Sequence, residues 1–307
     1  MNTLKSIATR SMVTKLIAAN IVVYLLVQVA TLIFFLMASP IDVEAVVYEY
    51  LAVPADLSTL ANRFWTPITY MFLQTSFMHL LGNMLWLFFL GAVFLDMFDG
   101  RKMLAVYILG GLSGALFYIA AYNLFPAFSS VLPLSYAMGA SAAVSAIVIA
   151  VCVYKPHEKL YFFGIFPFEV KWLGIIYVVM DIVSIVQSNA GGHISHIGGA
   201  VFGATFALCL KNGKDITQWF CSLTDTVVSW FGNSESSKRP KMKVTYSSKD
   251  SSNVEYTEAT TVSDEEFNRR KHDENEKIDR ILEKISKSGY DNLTKEEKEF
   301  LFRASRK

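Results

Sequence analysis

Residues 135–147 read SYAMGASAAVSAI, and the run passes into the apolar segment IVIAVCVY (147–154). Nearly every side chain up to Ile147 is small, and Ser141 and Ser145 stand in or beside what reads as a membrane helix. Small residues let helices approach closely in a bilayer, and a serine among them is ordinarily a packing residue. Whether Ser141 packs or reacts depends on what the rest of the chain brings to the same depth.

Outward from this stretch the chain divides by charge. The 307 residues are 53% hydrophobic, yet only ten of the 28 Lys and Arg and nine of the 27 Asp and Glu precede Asn212; eighteen of each follow it. The first part reads as a membrane domain and the second as a charged tail. Both are close to neutral, so no nucleic-acid partner is expected. Cys152, Cys209 and Cys221 form no paired motif, and two of them sit in apolar runs. No disulfide, metal or cofactor is expected from them.

Apolar runs of spanning length recur at about 16–38, 77–95, 103–125, 137–154, 170–187 and 193–210. A helix rising ~1.5 Å per residue needs about 20 residues to cross the hydrocarbon core, and flanking residues extend the shorter runs. The first run exceeds a signal-peptide core and reads as a retained helix. Lys5, Arg10, Lys15, Arg101, Lys102, Lys155, Lys159, Lys171 and Lys211 all fall on one side of such a six-span arrangement. The opposite side carries only Arg63 among the bases. The positive-inside rule then predicts cytoplasmic termini; the basic loops with no organellar presequence, together with the family resemblance given below, point to a bacterial inner membrane. Spans two, four and six would each begin at the outer face with unpaired N–H groups and the positive end of the helix dipole.

Polar residues gather at those three ends. Span two opens FMHLLGNMLW, placing His79 and Asn83 at i, i+4 on one face. Span four opens with Ser141. Span six opens GGHISHIGGAVFG, with His193 and His196. Ionisable groups inside a membrane are costly and face the interior or a wet cavity. A serine is a weak nucleophile until a base takes its proton, and histidine titrates in the useful range. Acyl transfer then needs donors aimed at the oxyanion, which Asn83, His79 and the Ser141 N–H can supply. Each element also has a structural reading: a packing serine, an interhelical His–Asn pair, a Gly199/Gly203 small-residue face, a histidine pair that lacks the further ligands of a metal site. Asp181, also within a span, reads as a link between helices, with orientation of His196 as the alternative. Only the shared depth of the four groups favours chemistry.

HLLGNM (79–84), GASA (139–142) and HIGGAVFG (196–203), in this order, resemble the rhomboid family of intramembrane serine proteases over roughly residues 10–212. The resemblance implies an all-α, six-helix membrane bundle that cuts the transmembrane segments of membrane-protein substrates with a Ser–His dyad. It makes Ser141 the nucleophile and His196 the base, with Asn83 and His79 at the oxyanion and Gly139, Gly199 and Gly203 as structural neighbours. Trp65, Asp96 and Gly100 also fall at family positions. Three positions depart: Ala142 stands where the family has glycine, Ser145 where some members carry an aromatic that stacks on the histidine, and Thr66 where an arginine often follows the tryptophan. A catalytically inactive rhomboid-like protein that binds transmembrane segments is the alternative.

The expected organisation is a membrane domain over 1–212, an interfacial amphipathic helix over 213–232, a flexible linker over 233–262 and a helical hairpin over 263–307. Ile216, Phe220, Leu223, Val227 and Phe231 carry the amphipathic pattern. Ser263–Glu266 and Thr294–Glu297 are capping-box spacings, which point to two short helices in a tail that serves as a solvated appendage or as a partner-binding module.

Overall fold

The computed structural model describes residues 12–162 and 166–231, together with Ile281, Lys284, Ile285, Leu293, Thr294, Glu297 and Lys298. The chain forms two units, Met1–Ser237 and Lys238–Lys307. The first unit is a helical bundle. Among the described residues, four of its helices are long and apolar enough to cross a membrane: α1 (Met12–Leu36), then, after the loop helix α2 (Val43–Leu51), strand β1 (Val53–Pro54) and the short helices α3 (Leu57–Asn62) and α4 (Thr66–Thr69), α5 (Phe77–Met97), α6 (Gly100–Leu124) and, later in the chain, Ala190–Lys211.

Between α6 and that last helix the elements are shorter. Strand β2 (Tyr136–Ala137) leads into α7 (Ser141–Tyr154), the hairpin β3 (Lys159–Phe162) and β4 (Phe166–Glu169), and α8 (Val170–Ser184); Ala190–Lys211 is α9 and Gln218–Phe231 is α10. The two middle spans expected from hydropathy are therefore helices of 14 and 15 residues. The first starts at Ser141 rather than 137 because Tyr136 and Ala137 pair with Pro54 and Val53 in an antiparallel ladder. Next, Gly139 takes φ +131°, a conformation closed to most side chains. The hairpin, with Lys159 opposite Glu169, was not foreseen in what reads as a plain basic loop.

Fourteen residues rise ~21 Å, short of the ~30 Å hydrocarbon core. The helix is tolerated because protein surrounds it: every residue from Ala142 to Cys152 is buried. Helices α6 and α9 pack most closely on it, through small residues. A methyl at Gly199 or Gly203 would meet the backbone oxygens of Ala142 and Ala146. Gly114 of α6 answers the unexpected Ala142: a Cβ at 114 would lie 2.5 Å from the Ala142 methyl. The methyl that replaces the family glycine thus occupies space vacated on the neighbouring helix. Exposed Leu25, Leu26, Val29, Phe35 and Leu36 of α1, and Ile175, Ile176, Val179, Met180, Ile182 and Val183 of α8, form apolar outer faces suited to lipid.

The loop between α1 and α5 is tied down by Arg63. Its guanidinium pairs with Glu49 at 2.8 Å and lies 4.8 Å from the Tyr50 ring centre. Trp65 donates from Nε1 to the Tyr50 carbonyl. Thr66 in the place of arginine therefore leaves the loop anchored, by a base three residues earlier. Asp56 caps α3, and hydrogen bonds from Ser58 and Thr59 hold its carboxyl down to about 2.

At the other end, Lys102 reaches Asp215 at 3.3 Å and Arg101 reaches Asp225 at 3.0 Å, joining the start of α6 to α10 and the turn before it. Trp219, Leu223 and Val227 form an exposed apolar stripe on α10. In the second unit, Ile281 and Leu293 are buried and Lys284 pairs with Glu297 at 2.9 Å. Thr294 and Glu297 make the expected capping box, the Thr294 N–H donating to the carboxylate and the Glu297 N–H to the hydroxyl. The 233–262 linker and the Ser263–Glu266 box lie outside the described residues.

Candidate active site

Ser141 is the first residue of α7, so its N–H has no acceptor within the helix. The strand ahead of it is held twice, by the Ala55 N–H on the Ser135 carbonyl and by the Gly139 N–H on the Tyr70 carbonyl, 2.9 Å each. His79 and Asn83 lie on the first two turns of α5, which Ser76 caps by accepting from the His79 N–H. His193 and His196 lie on the first two turns of α9, capped by Asn189 in the left-handed region at φ +46°.

Ser141, His196, Asn83 and His79 line one cavity of about 480 Å³, closed further by Met78, Trp86, Tyr177 and Met180. His193 is absent from its wall. The role of Gly139 is spatial: a Cβ there would lie 2.8 Å from His79 Cε1, 3.2 Å from Nε2 and 3.5 Å from Ser141 Oγ. A side chain at 139 would displace the ring from the serine.

The two cavity histidines are held in opposite senses. The Thr75 N–H points at His79 Nδ1 at 3.3 Å, with the Thr75 hydroxyl 3.0 Å from the same nitrogen. Nδ1 therefore accepts, and the neutral ring keeps its proton on Nε2, a donor. His196 Nδ1 lies 2.9 Å from Asp181 Oδ1, and His193 Nδ1 lies 2.8 Å from the same oxygen. A carboxylate accepts, so a neutral His196 that bonds it donates from Nδ1 and carries no proton on Nε2. Asp181 was expected to link helices; it does so by binding the histidines themselves.

These three groups could also be asked to hold a metal, since their ligand atoms lie within 4.8 Å of one another. Ligands about 2.1 Å from a tetrahedral zinc would stand about 3.4 Å apart. Separations of 2.8 and 2.9 Å are hydrogen-bond lengths.

Two further residues escaped the sequence reading. Gln74 accepts from Asn83 Nδ2 at 2.9 Å and donates to Asn20 Oδ1 at 3.1 Å. Asn20 donates in turn to the Tyr107 hydroxyl at 3.0 Å, which reaches the Met71 carbonyl at 3.2 Å. The other is Tyr177. Its ring centre is 6.2 Å from that of His196, tilted by 31°, and its hydroxyl meets Ser145 Oγ at 2.5 Å. Ser145 Oγ–H donates to the Ser141 carbonyl. An aromatic thus lies beside the histidine after all, supplied by α8 instead of by position 145.

Residues 61–213 match the family model of the rhomboid domain, and residues 261–307 match that of a family of unknown function, DUF6576. A relative, "RHOMBOID-like protein 12, mitochondrial" of Arabidopsis thaliana, is 28% identical over 163 residues, covering 50% of this chain and 48% of that protein. The chain spans about half the length of that relative. The domain match takes in the loop carrying Trp65 and the ends of α5, α7 and α9 that surround the cavity, and the chain, an integral membrane protein, belongs to the rhomboid family.

Proposed function

We propose that the protein is a serine endopeptidase that cuts transmembrane segments of membrane-protein substrates. The observation that carries this reading is the single cavity on which Ser141, His196, Asn83 and His79 converge from three helices. His196 Nε2 takes the proton of Ser141 Oγ–H as the oxygen attacks the scissile carbonyl. The electron pair displaced onto the carbonyl oxygen is met by N–H donors from Asn83, His79 and the Ser141 backbone. On collapse, His196 returns the proton to the departing amine, and the same base then activates water to hydrolyse the acyl-enzyme. A substrate helix rich in small residues would unwind most readily at this site. The competing reading, an inactive binder of transmembrane segments, draws on Ala142 and Ser145; the packing against Gly114 and the hydrogen bond to Tyr177 account for both.

The direct test is a fluorophosphonate probe together with a model transmembrane substrate in detergent. The expected result is labelling confined to Ser141 and cleavage within the substrate's apolar segment. Folded protein that does neither refutes the protease assignment.

Four long helices with the shorter α7 and α8 between them supply six crossings in this reading. Basic-residue bias puts both termini, the α10 stripe and the tail on the cytoplasmic side, with the cavity opening outward. A cytoplasm-dependent reporter is expected to be active when fused after Lys211 and silent after Ser129. Activity of the Ser129 fusion overturns this orientation. The organisation into membrane domain, interfacial helix, linker and tail module belongs to the same proposal.

A further inference from the structure

We propose that α8 holds the general base: Asp181 fixes His196 in the tautomer whose Nε2 is free to take a proton, and Tyr177 fixes the plane of its ring. This deepens the dyad reading above and rests on it. Tyr177 and Asp181 are spaced i, i+4, so one face of one helix presents both groups to the ring. Asp181 is 7% exposed. A carboxylate is costly to bury without hydrogen bonds, and the two imidazole N–H groups at 2.8 and 2.9 Å supply them. Because a neutral imidazole carries one N–H, the proton used on Asp181 leaves Nε2 as an acceptor.

Tyr177 is fixed in turn. Ser145 Oγ gives its proton to the Ser141 carbonyl and so accepts from the Tyr177 hydroxyl. The ring is also flanked by Trp86, 6.1 Å away at 70°. Ser145 therefore acts through a hydrogen bond to an aromatic on another helix. Asp181 and Tyr177 are positioning residues, since neither is the group that exchanges a proton with Ser141.

Asp181→Asn tests the assignment because it keeps the shape and removes the obligatory acceptor. An amide that turns its NH₂ toward the rings forces them to accept at Nδ1, which moves the His196 proton to Nε2 and disables the base. In a serine protease with a buried triad aspartate the same exchange lowers kcat about 10⁴-fold. The expectation here is a loss of kcat between about 10² and 10⁴-fold, KM within about threefold and slowed labelling of Ser141.

A second measurement needs no variant at position 181. In ¹⁵N-histidine spectra of the wild-type protein, with His196 assigned by its absence from His196→Ala, His196 is expected to be protonated on Nδ1 and bare on Nε2. A wild-type His196 protonated on Nε2, or a folded Asp181→Asn with kcat within about threefold of wild type, overturns the proposal. Failure of the protease reading looks different: Ser141 goes unlabelled and substrate uncut in the wild type, and the tautomer still decides what Asp181 does.

Discussion

Purified Ser141→Ala and His196→Ala are each expected to fall to the background of a transmembrane-substrate assay, a loss of at least about 10³-fold, with melting within a few degrees of wild type. Nucleophile and base act as one unit, so removing either costs about as much as removing both. The serine substitution is structurally mild, and in His196→Ala the buried Asp181 carboxylate keeps the His193 donor. Ser141 heads its helix and leaves no interior hydrogen bond unpaired, and the carbonyl that accepts from Ser145 belongs to the backbone. His193→Ala is the contrasting variant. His193 shares Asp181 with His196 but does not line the cavity, so turnover is expected to remain within about tenfold. Substantial cleavage by Ser141→Ala removes the mechanism altogether; loss in His193→Ala with survival in His196→Ala exchanges the histidines.

Asn83→Ala is expected to lower kcat by about 10² to 10³-fold with KM changed less than about threefold. An oxyanion donor meets charge that exists only in the transition state, so its loss spares ground-state binding. The geometry supports this use of the amide. One N–H of Asn83 is committed to Gln74 Oε1, and the residue lines the cavity, where the second N–H is available. Truncation also leaves the Gln74 oxygen without its donor in a buried place, at about 1–3 kcal/mol, so some thermal stability is lost as well. Kinetics and melting on the same preparation separate the effects. Activity that falls only with the folded fraction makes Asn83 structural and leaves His79 and the Ser141 N–H as donors.

How much of this could be read in the linear chain is clear from which residues were seen. Ser141, His196, His79 and Asn83 were legible because each lies in the opening turns of a helix, and alternation of direction puts three such openings at one level. Gly199 and Gly203 were legible as a small-residue face. For Asp181 the sequence offered two roles, a link between helices or orientation of His196, and did not choose between them, although the residue itself stands out among apolar neighbours. Spacing gives the face of a helix that a residue occupies but not the rotation of that helix toward its neighbours, and only that rotation brings Asp181 and Tyr177 to His196. Gln74 lies in a loop without periodicity. Ala142 looked like a departure because the compensating Gly114 is 28 positions away and on another helix. The lengths of α7 and α8 were overestimated because apolar composition continues past the points where strand pairing and turns end the helices.

Asn20 lies on the first long helix, belongs to no recognisable motif and is not among the residues lining the cavity, yet it is fully buried and joins Tyr107 to the relay through Gln74 to Asn83. A leucine there would suit the lipid-like composition of α1. It would also strand the buried Gln74 amide and take from the Tyr107 hydroxyl one of its two partners. The tolerance of this chain to mutation is therefore not drawn by distance from Ser141. A random-mutagenesis survey would find α1 permissive along its lipid-facing side and intolerant at this one asparagine, a constraint written into the gene far upstream of any residue that meets a substrate.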